Sequence, residues 1–263
     1  MHLYIAPRSF GGYLKMIFQI ESYMKLTSVL SWYSKIVSSY VVAKCKRNPF
    51  FVFNGTRLRY FIRTYNHTWL NERHVEIPIV RDYMERFAGK SVLEIGNVMR
   101  HYMPEATHIV VDKYEQSPGV TNCDIVDYEP PSSNAGGFDL IISISTFEHI
   151  GFNESIYSKT QPNTDADAGQ KLKQAIDKTK SLLSPGGVFI MTAPLGYNKI
   201  FDGQLANGQL GFTRQLFMQR TGVCEWRQYE ENGALLRSYN KPYPNANGLV
   251  VGIYENNDRV TVF

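Results

Sequence analysis

From residue 91 onward, short apolar runs alternate with helical or turn-forming segments, and this alternation restricts the fold more than any other feature of the 263 residues. SVLEI (91–95), HIVVD (108–112), NCDIVD (122–127), FDLIISIS (138–145) and VFIMTAP (188–194) each read as a strand. Between the last two, residues 168–183 place Leu172, Ala175, Ile176, Thr179, Leu182 and Leu183 on one helical face. Ser184-Pro185-Gly186-Gly187 stops that helix, since proline cannot continue it and the glycines permit a tight reversal. A helix near 213–220, a strand around 224–229 and GLVVGIYE (248–255) follow, the last two strands suiting a hairpin at the sheet edge. Strands separated by helices imply a mostly parallel sheet covered on both faces, a doubly wound α/β domain.

Ahead of it, residues 1–70 read as an extension of helices plus a hairpin, leaving 71–263 as the main domain. Apolar residues from Leu14 to Val41 fall close to helical spacing. Asn54-Gly55 between FFVF and TRLR signals a two-residue hairpin turn, which needs positive φ at both positions. Residues 72–88 look helical from about Ile79, with Gly89 ending the helix. The net charge of +4 conceals an asymmetry: residues 1–60 hold nine lysines and arginines against one acid, Glu21. Such a basic, aromatic-rich segment suits anionic lipid, nucleic acid or a phosphorylated substrate, or is simply a solvated helix kept soluble by its lysines.

No apolar run reaches the roughly 20 residues that cross a bilayer, and lysines interrupt the N-terminal ones, so no cleavable signal is expected. The three cysteines, Cys45, Cys123 and Cys224, lack CxxC spacing. The expected location is the cytoplasm, peripheral to a membrane at most, through residues 1–60. The histidines show no ligand spacing, and Asp165-x-Asp167 precedes a helix, where acids favour the N-terminus; no metal site is expected.

The chemistry-bearing residues sit at strand ends. Glu94 closes the first strand of the main domain and Gly96 opens the turn after it; Asp112 ends the second strand and Asp124 lies at the third. Strand-acid-x-Gly followed by acids at the next two strands resembles class I S-adenosylmethionine (SAM) methyltransferases, as does the Leu-x-Pro-Gly-Gly turn before the fifth strand. The family pattern continues acid-x-Gly-x-Gly-x-Gly; here Val98 and Arg100 stand at the second and third glycine positions. The resemblance implies a seven-stranded sheet and SAM as cofactor, with Glu94, Gly96 and Asn97 near its methionine end. It implies Asp112 at the ribose, Asp124 beside the adenine amino group, and Ser145 at the cofactor. A dinucleotide site fits less well, because its pyrophosphate needs Gly-x-Gly-x-x-Gly, and Pro104 cuts the following helix short.

In FDLIISISTFEHIGF the residues after the strand face the binding crevice of an open α/β sheet, so Ser143, Ser145, Thr146, Glu148 and His149 are candidates to meet cofactor or substrate. His149 is the candidate general base and Glu148 its neighbour, although both are also suited to shaping a helix start. Tyr239, Tyr243 and Asn247 are candidates for a substrate wall; Arg57, Arg59, Arg63 and Arg73 could pair with the SAM carboxylate or an anionic substrate, but default to exposed positions. The expected activity is SAM-dependent methyl transfer to a small-molecule or glycan-type acceptor. The alternative is a non-catalytic methyltransferase-like binding or membrane-associated module. Nucleic acid is not an expected substrate, since the Asn/Asp-Pro-Pro-Tyr motif of base-modifying enzymes is missing.

Overall fold

The computed structural model describes residues 26–45, 48–152, 165–229 and 237–257. The first half of the N-terminal helical pattern lies outside them. Its second half is α1 (Leu26–Lys44). The hairpin follows as β1 (Phe50–Phe53) and β2 (Thr56–Arg59), with Asn54 at φ 47° and Gly55 at φ 79°, the left-handed pair that such a turn demands. Nothing lies within 4 Å of a Cβ added to Gly55, so only backbone strain opposes one. Gly55→Ala is expected to lose about 1–2 kcal/mol in urea unfolding.

Helix α2 (Arg73–Arg86) begins six residues earlier than Ile79, despite Pro78 inside it. Proline removes the donor that would bond the carbonyl of His74. Here the Phe61 N–H donates to that carbonyl at 3.0 Å, so the segment after the hairpin completes the helix.

The chain continues with β3 (Val92–Ile95), the single turn α3 (Met99–Tyr102), β4 (Ile109–Val111), β5 (Val120–Thr121) and β6 (Phe138–Ile144). Next come α4 (Asp165–Ser181), β7 (Leu183–Pro194), α5 (Lys199–Ala206), β8 (Arg214–Gly222), β9 (Glu225–Tyr229) and β10 (Gly248–Glu255). The eight strands run in the order β5-β4-β3-β6-β7-β10-β8-β9, parallel from β5 to β7 and antiparallel beyond. One face packs Leu172, Ile176 and Phe201 of α4 and α5 against Phe189, Phe217 and Val250. The other packs Val75, Ile79 and Val80 of α2 against Leu140, Ile142, Ile190 and Val251. The fold is thus doubly wound α/β, with one strand more than seven.

Three local expectations are corrected. Residues 213–220 form β8, not a helix: Leu216 and Met218 face one core and Phe217 the other, a period of two hidden in a short apolar run. The third strand is Val120–Thr121; Asp124 instead caps the helical turn Ile125–Asp127 by accepting from the Val126 N–H. The edge hairpin is β8–β9, while β10 enters between β7 and β8, antiparallel to both.

Candidate functional site

From β3 the chain moves outward to β4 and β5, then returns to β6 on the other side of β3. That reversal makes the carboxyl ends of β3 and β6 the switch point, where open α/β sheets bind ligands. Gly96, at φ 83°, turns the chain there while its N–H donates to the Val111 carbonyl at 2.8 Å. A Cβ at this position would lie 2.2 Å from Thr146 Oγ1, so the close approach of the loop after β6 already requires glycine.

The predicted acids are tied to their own loops. Glu94 is fully buried; Oε1 accepts from the Val98 and Met99 N–H groups at 2.9 and 2.6 Å, and Oε2 lies 2.6 Å from His108 Nε2. Asp112 Oδ1 accepts from the Tyr114 and Glu115 N–H groups, and Oδ2 from the Asn97 N–H at 3.1 Å. The Asn97 amide donates to Glu115 Oε1 at 2.7 Å, while its own Oδ1 is buried with no hydrogen-bond partner. Asp124 pairs with Lys113 at 3.0 Å and Lys171 at 3.5 Å. Burial alone would raise its pKa, yet the Lys113 ammonium and the Val126 N–H outweigh burial and hold it low. At the lost glycine positions, Val98 packs into the α2-side core, and the Arg100 guanidinium donates to the Gly119 and Pro118 carbonyls at 2.8 and 3.3 Å.

Beside this loop lies a polar cluster. Ser145 takes a positive φ of 43°, unusual for a residue with a Cβ. Its hydroxyl donates to Glu76 Oε1 at 2.7 Å, and Thr192 Oγ1 from β7 donates to the same oxygen at 2.7 Å. Arg73 pairs with Glu76 Oε2 from one helical turn away. Glu76 is fully buried and Arg73 nearly so, which corrects the exposed position expected for Arg73. Burial works against the Arg73 charge, but Glu76 prevails and lifts its pKa above the ordinary value.

Glu148 and His149 stand on the turn Phe147–His149, next to this cluster. Glu148 is almost entirely buried, and its Oε2 has no hydrogen-bond partner. Burial pushes its pKa well up, and the neighbouring Glu76 adds to the rise. His149 Nε2 lies 3.7 Å from Glu148 Oε1, and the imidazole packs edge-on against Tyr197 with centroids 5.1 Å apart. Burial, aided by the Arg73 charge, pushes the His149 pKa down to about 4. Tyr239 stacks edge-on against Tyr197 in turn, and burial raises its hydroxyl pKa. Asn247 is an organiser of this loop: it accepts from the Tyr243 N–H and donates to the Ser238, Tyr243 and Asn245 carbonyls. Sequence reasoning missed Glu76, Thr192 and Tyr197. The signal for Glu76 was an i, i+3 arginine–glutamate pair flanked by Val75, Ile77 and Ile79, apolar on every side.

The His149 environment makes a contribution to stability that acid removes. Its folded pKa lies below the unfolded 6.5, so its stabilising contribution is complete above pH 6.5 and is lost as pH falls toward 4. Asp202, raised by burial to about 6, acts in the opposite sense, contributing below about 3.8 and losing that contribution as pH rises through 6. Comparing urea unfolding of wild type and His149→Gln between pH 6.5 and 4 isolates the histidine; wild type is expected to lose roughly 1–3 kcal/mol more.

No family model and no curated protein matches the chain. Solved structures do. The N-methyltransferase NodS from Bradyrhizobium japonicum, in complex with S-adenosyl-L-homocysteine, aligns over 70% of this chain and 91% of its own, at 12% identity and a TM-score of 0.40. A SAM-dependent methyltransferase from Archaeoglobus fulgidus aligns over 70% of this chain and 94% of its own, at 14% identity and a TM-score of 0.41. A SAM-dependent methyltransferase of Thermotoga maritima described as a possible histamine N-methyltransferase aligns over 70% and 99%, at 13% and 0.36.

Proposed function

We propose that the chain binds SAM at the β3/β6 switch point and transfers its methyl group to a small-molecule or glycan-type acceptor held against the Glu148–His149 turn. The observation that carries the cofactor half is the orphaned Asn97 Oδ1, a buried acceptor without a donor at the end of β3, with the Asp112 and Glu115 carboxylates beside it. An acceptor-rich, acidic crevice fits a ligand that carries hydroxyl and ammonium donors and a sulfonium charge. The same carboxylates would repel a pyrophosphate, which weighs against a dinucleotide.

SAM, when bound, supplies an electrophilic methyl group. The residues of the chain have the remaining work of holding an acceptor in line with it, which accounts for much of the rate in such reactions. Glu148, its pKa raised by burial, favours the protonated form and can donate a hydrogen bond from Oε2 to an acceptor oxygen or nitrogen. His149 stays neutral at pH 7 and can accept the proton that an attacking hydroxyl or amine loses as it takes the methyl group. Tyr197 and Tyr239 offer an aromatic wall beside it.

Isothermal titration of the full chain with SAM and with S-adenosylhomocysteine tests this reading. Binding is expected, and Asn97→Ala should weaken it roughly fivefold to tenfold, the worth of one hydrogen bond. If neither ligand binds at millimolar concentration, the non-catalytic reading replaces it.

A further inference from the structure

We propose that α1, the outer face of the hairpin and the β8–β9 turn together form a docking face for an anionic lipid surface. The inner side of α1 is accounted for. Ile36, Tyr40 and Ala43 pack on Trp69 and Cys224, and the Trp69 indole N–H donates to Ser39 Oγ at 3.0 Å. Among the described residues the outer side has no such cover: Tyr33, Val37 and Val41, spaced i, i+4 and i+8, are 58%, 42% and 51% exposed, with Trp32 and Val42 flanking them. These five are most of the large apolar side chains left exposed among the described residues. The other three, Val52, Val223 and Tyr229, lie on neighbouring elements. Val52 is on β1, which packs beside β9; Val223 is next to Cys224, the residue α1 covers; Tyr229 ends β9.

Charge selects the partner. Helix α1 holds Lys35 and Lys44 and no acid, and Lys46 and Arg47 follow in the sequence. On the outer face of the hairpin the exposed Arg57 and Arg59 stand opposite Val52 and Phe50, with the Arg57 guanidinium 4.1 Å from the Phe50 ring centroid. Apolar and aromatic side chains bordered by cations suit the boundary between phosphate headgroups and acyl chains. A nucleic-acid face would be more polar and far more densely basic. Among the described residues no helix is long and apolar enough to cross a membrane, so a helix of this kind lies along the surface. Strand β9 stands five positions from β3 in the sheet, roughly 24 Å at the usual strand spacing, so this face is separate from the switch-point crevice.

Co-sedimentation of the full chain with phosphatidylcholine vesicles, with and without phosphatidylserine, tests the proposal. Binding is expected only with phosphatidylserine and should weaken as salt rises. Val37→Asp/Val41→Asp should reduce it at least tenfold, and Lys35→Glu/Lys44→Glu by a comparable factor, since each basic group near such a surface is worth about fivefold. All four side chains are exposed, and circular dichroism checks that the variants fold. Equal sedimentation of wild type and the aspartate variant overturns the proposal. So does failure to bind phosphatidylserine vesicles, a dimer in solution that the aspartate variant converts to monomer, or oligonucleotide binding that displaces the vesicles. None of these readouts depends on whether SAM binds.

Discussion

Glu76→Ala is expected to destabilise the protein by about 3–5 kcal/mol, the usual cost of removing one partner of a buried ion pair. The side chain has no exposed surface and holds three groups from three elements: the Arg73 guanidinium on α2, the Ser145 hydroxyl after β6 and the Thr192 hydroxyl on β7. Alanine leaves a buried guanidinium without its counter-charge and two hydroxyls without their acceptor. Water can relieve only part of that loss, because Arg73 is itself only 15% exposed. The double variant Arg73→Met/Glu76→Leu removes both charges and keeps side-chain volume, so it should be clearly more stable than Glu76→Ala. Urea unfolding of the two variants measures both terms. A loss below about 1 kcal/mol for Glu76→Ala would show that the pair is solvated like a surface ion pair.

Gly96→Ala is expected to cost about 2–5 kcal/mol from two separable sources. At φ 83° any Cβ strains the backbone by about 1–2 kcal/mol. Placing it 2.2 Å from Thr146 Oγ1 and 3.0 Å from Cγ2 forces the loop after β6 to move, adding about 1–3 kcal/mol of overpacking. Thr146→Ala deletes the two nearest atoms and leaves only its Cβ, 3.1 Å away, so Gly96→Ala in that background should retain the backbone part and a small residual contact. An equal cost in both backgrounds would exclude the steric term. Since Thr146 follows Ser145, the same displacement should disturb the Glu76 network and weaken the S-adenosylhomocysteine binding proposed above, a second readout by titration.

Legibility followed the range of the interactions. Strands β3, β6 and β10 were readable nearly to their ends, because continuous apolar runs bounded by turn residues have few other uses. Strand β8 was not, since Leu216, Phe217 and Met218 in succession show no period until two cores on opposite faces claim them. Helix α5 was missed although Asn198 caps it by accepting from the Ile200 and Phe201 N–H groups, a signal present in the sequence. The depth of Arg73 and Glu76 showed only in the apolar Val75, Ile77 and Ile79 around them, because an i, i+3 ion pair by itself looks the same on a solvated helix and a buried one.

The order of apolar runs and breakers was enough to determine a doubly wound α/β domain and to place Gly96, Asp112, Ser145, Glu148 and His149 at the carboxyl ends of strands. Those positions follow from chain-local rules of strand length, alternation and turn chemistry. The duties of Ser145, Glu148 and His149 were decided by tertiary structure. Glu94 and Asp112 hold their own loops together, whereas Ser145 reaches Glu76 across 69 residues and Thr192 reaches it across 116. The partners of Ser145 and Thr192, and the burial that raises the pKa of Glu148 and lowers that of His149, depend on neighbours distant in sequence. No local pattern encodes them.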